Sequence, residues 1–336
     1  MSLKKINHSI QIIFYILLTK KLYLIKTPQN YISLVEYLNL NKVINDKSKI
    51  VVGYTSSDSA RQIEKLHSSE IGLSNKIVFL KDGLNETFFS IILKIFKIIK
   101  FNKRKCIVGD KKYFLFKILY QNSLEVIFLD DGLNLLVFKE NFQVKDYKLF
   151  SYFNLNNRRV IKNNFNFLKT KVKNNLISDN EIWLLGTPAS TFSILDNNVY
   201  SSLIKKFAEK YKDKKIFFFP HRDEKFNETN LSKNIIVQSK LVEPIEIYAS
   251  KQKTMPFLVA GFYTTALHIL SIILDKKKFA FMNINFNTNL IDSNKLKERY
   301  NLTNLKQQYN LASPNVINIL LHNITHGNSS MPILRT

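Results

Sequence analysis

The chain has 336 residues, which is too many for one small core and suits two domains of roughly 150 residues each. Its hydrophobic content of 45% excludes wholesale disorder, and its single cysteine, Cys106, excludes an intramolecular disulfide and a cysteine-rich zinc site. The formal net charge of +24 favours an anionic partner: a membrane surface, a phosphorylated small molecule or nucleic acid. Nucleic acid is the weakest of the three, because lysine greatly outnumbers arginine and no aromatic RNA-binding motif is present. Cys106 lies in an apolar run, so we expect a buried thiol and a reducing, cytoplasmic setting.

The first 21 residues contain an apolar stretch, Ile10 to Leu18, between the lysine pairs Lys4-Lys5 and Lys20-Lys21. The stretch is too short to span a bilayer, which takes roughly 20 residues, and Thr19-Lys20-Lys21 offers no small-residue cleavage site for a secretory signal. Two interpretations stay open. The stretch is either a short helix that lies on an anionic leaflet or a helix that packs on the first domain.

Strand and helix patterns alternate through the first domain, residues 22–150. Short apolar runs predict strands at 22–26, 50–54, 76–80, 105–108 and 124–129. Helical patterns between them run through 34–38 and span 59–69, 87–100 and 111–121. Short strands separated by helices indicate a parallel sheet, and right-handed crossovers then place the carboxyl ends of all its strands at one edge.

A polar segment at 151–180, rich in asparagine and lysine, is predicted to link the first domain to a second α/β series at 181–336. That series has predicted strands at 181–185, 215–219, 234–237, 257–260 and 279–283, and helices at 199–211, 243–250 and 264–274. The sequence therefore predicts two doubly wound α/β domains whose polar strand ends face a shared cleft.

Asp130, Asp131 and Gly132 follow the predicted strand at 124–129. Ligands of open α/β sheets bind outside the carboxyl ends of the strands, so two adjacent carboxylates there suit chemistry on a substrate. The alternative is a polar strand end with a tight turn, since aspartate and glycine are ordinary turn residues.

Further polar residues follow the strands of the second domain. Pro220, His221 and Arg222 come directly after an apolar strand, where a histidine could contact a phosphate near neutral pH or serve structure alone. Thr264 and Thr265 lie where a strand passes into a helix, a position that suits an anion, although Thr264 could simply cap the helix.

Other residues of the second domain also lie at the ends of predicted elements. Glu243 and Glu246 open a predicted helix, where carboxylates either complement the helix dipole or bind a ribose. Gly186 directly follows the predicted strand at 181–185. The sequence has no phosphate-binding P-loop, no Gly-x-Gly-x-x-Gly and no histidine-rich metal spacing, so a metal-free reaction is expected.

These motifs resemble those of the bacterial sialyltransferases. The chain is most similar to family 52 of the glycosyltransferases, which includes lipooligosaccharide sialyltransferases, and more loosely to the capsule polysialyltransferases. The matching pieces occur in the expected order: Ile25-Lys26-Thr27-Pro28-Gln29, Asp130-Asp131-Gly132, Pro220-His221-Arg222 and Phe262-Tyr263-Thr264-Thr265-Ala266-Leu267. One departure is that the related motif is often His-Pro, whereas here Pro220 precedes His221 and Arg222 follows it.

The resemblance implies a GT-B fold, in which two Rossmann-like doubly wound domains face a central cleft. It also implies a CMP-activated nonulosonic acid as donor and inversion at the anomeric carbon, with no metal or other cofactor. One of Asp130 and Asp131 would be the general base, and His221 would stabilise the leaving phosphate. The donor would further contact Gly186, Thr187, Pro220, Arg222, Glu243, Glu246, Thr264 and Thr265.

The sequence thus predicts a cytoplasmic glycosyltransferase, peripheral on the inner face of the membrane, that transfers sialic acid or a related sugar to lipooligosaccharide or capsule. The alternatives are another GT-B transferase of capsule or teichoic-type polymer assembly, and a non-catalytic basic protein that binds a membrane or nucleic acid. Acceptor sugar, linkage and oligomeric state stay open, a homodimer included.

Overall fold

The computed structural model describes residues 19–43, 48–54, 56–81, 105–121, 123–130, 146–153, 155, 159–172, 176–188, 190–224, 231–238, 241–274, 278–285, 292 and 317–320. The apolar stretch Ile10 to Leu18 and the predicted helix at 87–100 lie outside these residues. No helix within the described ranges is both long and apolar enough to cross a membrane.

The chain divides into two compact units, Met1–Asn163 and Asn164–Thr336. Segment 151–180, which the sequence assigns to a linker, contains regular structure that belongs to both units. A three-residue strand at Val160–Lys162 joins the first sheet, and a helix at Asn166–Lys171 and half of a long strand belong to the second unit. These elements are too short or too polar to show a clear period, although Tyr152, Phe153 and Phe165 within the segment are fully buried.

The first unit is built on a parallel seven-stranded sheet with the order β3-β2-β1-β4-β5-β6-β7. Its strands are β1 Lys21–Ile25, β2 Lys49–Tyr54, β3 Lys76–Lys81, β4 Lys105–Val108, β5 Glu125–Leu129, β6 Tyr147–Ser151 and β7 Val160–Lys162. The described helices are α1 Pro28–Leu40, α2 Ser57–His67 and α3 Phe114–Gln121.

Local sequence explains where these helices begin. Thr27 and Asn30 form a capping box at the start of α1, with Pro28 in the first turn, and the Ser56 side chain caps α2 by accepting from the Ser59 N–H. Strands β1, β2 and β5 of this sheet are almost continuously apolar, as expected when helices cover both faces.

The second unit has a parallel six-stranded sheet with the order β10-β9-β8-β11-β12-β13. Its strands are β8 Leu176–Leu185, β9 Lys215–Phe219, β10 Ile235–Val237, β11 Thr254–Gly261, β12 Ala280–Asn285 and β13 Ile317–Leu320. The described helices are α4 Asn166–Lys171, α5 Asn197–Lys210, α6 Ile245–Lys251 and α7 Thr265–Ile273.

Each sheet reverses its strand order once. The reversal falls between β1 and β4 in the first unit and between β8 and β11 in the second. In doubly wound sheets ligands bind at this switch point, outside the carboxyl ends of the strands. The predicted doubly wound α/β architecture of each unit is confirmed, and the switch points show where a site is expected.

Candidate functional site

The switch point of the second unit is formed by the ends of β8 and β11. Gly261, the last residue of β11, lies beside Leu185, the last residue of β8. A Cβ at Gly261 would lie 2.8 Å from the Thr264 Cγ2 atom and 3.3 Å from the Leu185 carbonyl oxygen, so the turn after β11 is tight. Gly186 extends the β8–β9 ladder by donating to the Phe219 carbonyl oxygen at 2.9 Å.

The loop after β9 is held by a buried carboxylate that the sequence analysis did not identify. Glu224 is only 1% exposed. Its Oε2 atom accepts a hydrogen bond from the His221 N–H at 2.7 Å, and its own N–H donates to the His221 carbonyl oxygen at 2.8 Å. A Cβ at position 186 would collide with the same carboxylate. Glycine at 186 therefore leaves the space in which Glu224 fixes the His221 backbone.

Tyr200, on α5, connects the ends of three strands. Its hydroxyl accepts a hydrogen bond at 3.1 Å from the N–H of Thr187, a residue that follows β8. The same hydroxyl also hydrogen-bonds to Glu224, which follows β9. Its ring packs against Phe262, which follows β11, with the centroids 5.3 Å apart. Burial, and then the charge of Glu224, raise the pKa of Tyr200 well above its usual value, so the phenol stays protonated.

The tautomer of neutral His221 follows from its contacts. The Nδ1 atom accepts from the Asp223 N–H at 3.2 Å and lies 3.8 Å from the Asp223 Oδ2 atom. Because a backbone N–H only donates, the proton of the neutral ring resides on Nε2. The side chain is 27% exposed, so His221 combines a fixed backbone with a ring that a ligand can reach.

Glu243 and Glu246 differ in their surroundings. Burial raises the pKa of Glu246, and a backbone hydrogen bond and the charge of Arg222 partly offset this. The Arg222 Nε atom lies 3.7 Å from the Asp223 Oδ2 atom. Glu243 pairs with Lys251, since its Oε2 atom lies 2.5 Å from the Lys251 Nζ atom.

The turn between β11 and α7 has an unusual backbone. Tyr263 adopts a φ of 50°, in the left-handed region that is uncommon for bulky residues. Its N–H donates to the Oδ1 atom of the fully buried Asn283 at 2.7 Å. Thr264 is the N-cap residue of α7 without a side-chain capping bond, so the capping interpretation of its hydroxyl is not observed. Such backbone outliers cost on the order of 1–3 kcal/mol and cluster at ligand sites.

Pro220, His221, Gly186, Thr187, Thr264 and Thr265 therefore lie along one edge of the second sheet. They follow the three adjacent strands β9, β8 and β11, which spread over about 10 Å at the usual strand spacing. This edge carries the hydroxyls of the threonines, the imidazole of His221 and the beginning of α7 with its first N–H groups. This combination suits a phosphate.

In the first unit, Asp130 stabilises the ends of two neighbouring strands. It is fully buried at the end of β5. Its Oδ1 atom accepts from the Ser151 hydroxyl at 2.7 Å, and its Oδ2 atom accepts from the Tyr152 N–H at 2.9 Å. Its backbone oxygen accepts from the Asn30 side-chain amide at 2.7 Å. Asp130 thereby ties the ends of β5 and β6 to the start of α1, while its neighbour Asp131 lies outside the described residues.

Lys162, on β7, is the cation near this buried carboxylate. Its Nζ atom donates to the Tyr152 carbonyl oxygen at 2.6 Å. Burial lowers the pKa of Lys162, and the charge of Asp130 partly offsets this. Among the described residues, no group of three or more His, Cys, Asp or Glu side chains is arranged to hold a metal ion.

The fold is similar to that of several solved structures. A Staphylococcus aureus MnaA–UDP complex is 11% identical over 89% of this chain and 92% of that chain, with a TM-score of 0.52. A putative UDP-N-acetylglucosamine 2-epimerase from Listeria monocytogenes is 12% identical over 88% of this chain and 92% of that chain, with a TM-score of 0.53. The fold is of the GT-B type, with two Rossmann-like domains. No protein-family model and no curated protein sequence matches the chain.

Proposed function

We propose that the protein is a glycosyltransferase that uses a nucleotide sugar. The observation that carries this proposal is the group of phosphate-compatible residues at the switch point of the second unit, where Gly186, His221 and Thr264 follow adjacent strands. The buried Glu224 and Tyr200 support it, because Glu224 fixes the backbone of His221 and Tyr200 fixes that of Thr187.

The proposed donor is a CMP-activated nonulosonic acid, in keeping with the resemblance to the bacterial sialyltransferases. His221 would donate from Nε2 to the phosphate of CMP. The hydroxyls of Thr264 and Thr265, and the first N–H groups of α7, would bind its other oxygens. These donors act most strongly on the leaving phosphate, which gains negative charge in the transition state. Gly186 and Glu246 remain proposed nucleotide contacts, whereas Glu243 is the weaker candidate because it already pairs with Lys251.

The proposed reaction is one inverting displacement. The acceptor hydroxyl gives its proton to a carboxylate base, and its oxygen forms a bond to the anomeric carbon. The bond from that carbon to the phosphate oxygen breaks, and CMP leaves with the electron pair. A positioned base contributes typically ~10²–10⁴-fold to such a step. No metal is required in this scheme.

We assign the base to Asp131 in preference to Asp130. Both carboxylate oxygens of Asp130 accept hydrogen bonds in a fully buried position, which leaves that residue poorly suited to meet an acceptor hydroxyl. The acceptor we propose is a glycan of lipooligosaccharide or capsule, reached from the cytoplasmic face of the membrane.

A UDP-sugar enzyme is the second candidate, because two of the similar structures are a UDP complex and a putative UDP-N-acetylglucosamine 2-epimerase. This candidate includes other GT-B transferases of polymer assembly. The third candidate is a non-catalytic basic protein, which the net charge of +24 favours.

Thermal unfolding with CMP, CDP, UDP and GDP separates the three candidates. A nucleotide at 100 times its Kd stabilises the folded state by about 2.7 kcal/mol, which raises the Tm by several degrees. The proposal predicts a shift that is largest with CMP. A larger shift with UDP would move the assignment to the second candidate, and the absence of any shift would favour the third.

A further inference from the structure

The first sheet carries a row of lysines along the edge where its strands begin. The first four strands each start on a lysine, namely Lys21, Lys49, Lys76 and Lys105. These strands are consecutive in the sheet, and the register places Lys49 beside Lys76 and Lys21 beside Lys105. Lys49 is in register with Leu22, so the two lysine pairs are offset by one residue and belong to opposite faces of the same edge. Adjacent strands lie about 4.8 Å apart, so this basic row extends over roughly 14 Å.

Positive charge is concentrated within the basic row. Burial and the neighbouring charge of Lys76 lower the pKa of Lys49, as expected for cations placed side by side. Lys20 adds a further exposed cation directly before β1. At the other end, Glu125 pairs with Lys105 at 2.9 Å and lies 3.8 Å from the Lys148 Nζ atom. Glu125 therefore neutralises part of the positive charge at the β4 end of the row.

Two exposed leucines lie at the same edge. Leu124 directly precedes β5 and is 65% exposed, and Leu40 ends α1 and is 52% exposed. A helix that connects parallel strands runs back towards the edge where the next strand begins, so its last residue lies beside the basic row. Charge and apolar surface thus occur together.

We propose that this edge, consisting of the basic row with Lys20, Leu40 and Leu124, is a docking surface for an anionic lipid bilayer. The lysines contact phosphate headgroups, and the leucines enter the interface between headgroups and acyl chains. The sequence leading into β1 has the same character, since Lys4, Lys5 and the apolar stretch Ile10 to Leu18 precede it. A nucleic acid would be attracted by the lysines but would gain little from two exposed leucines.

Within the first unit, the docking surface lies at the edge opposite to Asp130. It lies where the strands of the first sheet begin, whereas Asp130 follows the end of β5, and a five-residue strand spans on the order of 17 Å. The proposed membrane contact and the proposed nucleotide contacts involve different residues, so either proposal can be refuted without the other.

The test is co-sedimentation of the full chain with phosphatidylcholine vesicles that contain or lack phosphatidylglycerol. The test variant is Lys20→Glu/Lys76→Glu, in which both altered residues are exposed. Glutamate at 76 would face Lys49 in register and replace a repulsive pair by an attractive one, so the sheet is expected to form. The matched control is Lys205→Glu/Lys206→Glu, at exposed positions of α5, which lowers the net charge equally.

We expect the wild type to bind only vesicles with anionic lipid, and the test variant to bind them at least about 30-fold more weakly, because each lost lysine costs about 1 kcal/mol and the glutamates add repulsion. The control should bind like the wild type, and added salt should weaken both, because the Debye length falls from about 10 Å at 0.1 M to about 3 Å at 1 M. A second variant, Leu40→Ser/Leu124→Ser, should bind several-fold more weakly with an unchanged salt dependence.

Equal losses in the test variant and the control would overturn the proposal, because net charge alone would then explain binding. Binding to neutral vesicles of equal strength, or no binding to either kind, would also overturn it. Duplex DNA that binds the wild type but not the test variant, without vesicle binding, would identify a nucleic-acid surface. Stabilisation by CMP should be the same in all variants.

Discussion

Gly186 and Glu224 provide a strict test of the geometry at the candidate site. A methyl group at position 186 would collide with the Glu224 carboxylate and approach the His221 backbone nitrogen at 3.1 Å. The backbone of Gly186 is not in the left-handed region, so alanine meets no conformational penalty there. Overpacking of a well-packed position costs about 1–3 kcal/mol, and we expect Gly186→Ala to lower the free energy of unfolding by this amount.

The same substitution should become harmless once the carboxylate is removed. Glu224→Ala alone takes away the acceptor of the His221 N–H and of the Tyr200 hydroxyl, at about 1–3 kcal/mol for each donor. In that background Gly186→Ala should cost nothing or stabilise by up to about 1 kcal/mol, because alanine restricts the unfolded chain. The expected coupling energy between the two positions is therefore about 1–3 kcal/mol.

Urea unfolding of the wild type, the two single variants and the double variant, followed by tryptophan fluorescence, measures this coupling energy. Trp183 is the only tryptophan and lies in β8, the strand that directly precedes Gly186, so its signal reports on the second unit. Ser202→Ala, at an exposed position of α5, serves as the control and should change stability by less than about 0.5 kcal/mol. If the effects of Gly186→Ala and Glu224→Ala add within about 0.5 kcal/mol, the two residues do not share the space assigned to them.

Three further predictions concern the proposed reaction and its surroundings. Asp131→Ala should abolish transfer while leaving the Tm unchanged. Asp130→Ala should lower the free energy of unfolding by about 2–4 kcal/mol, because the Ser151 hydroxyl and the Tyr152 N–H lose their acceptor. Near-normal transfer by both variants would show that neither residue is the base. Transfer from a CMP-sugar should persist in excess EDTA, and complete loss with recovery on adding Mn²⁺ or Mg²⁺ would refute the metal-free scheme. Burial raises the pKa of Glu246 in the folded state, so its contribution to stability is present at low pH and is lost as the pH rises through the folded pKa. Glu246→Gln should therefore be more stable than the wild type at pH 7 and equally stable near pH 4. The same difference in stability at both pH values would contradict this.

The fold was largely predictable from the sequence because most strands are uninterrupted apolar runs. The predicted strands at 105–108 and 215–219 coincide with β4 and β9 in the structure. Strands without such a signal were missed: β6 mixes polar and apolar residues, β7 has three residues, and the four residues of β13 include Asn318. Short strands of this kind form because neighbouring strands offer a ladder, which local sequence does not reveal.

The candidate site was predictable only in part. His221 and Thr264 could be selected because they lie within three residues of the end of an apolar strand. Glu224 gave no signal, since a glutamate three residues into a polar turn resembles a solvated side chain, and only the structure shows it buried against Gly186. The burial of Asp130 could not be predicted from the sequence either. Its partners Ser151 and Tyr152 lie more than twenty residues away, in the segment predicted to be a linker.

Calorimetric titration with CMP tests the central claim, that the second unit binds the donor phosphate at its switch point. The wild type should bind CMP, and His221→Ala should bind it at least about tenfold more weakly, because a hydrogen bond to a charged phosphate contributes about 1.5–3 kcal/mol. Thr264→Ala should have a smaller effect where backbone amides still hold the phosphate, and Lys206→Ala, on the exposed side of α5, should have none. Equal CMP affinity of the wild type and His221→Ala, or the absence of CMP binding by the wild type, would contradict the account.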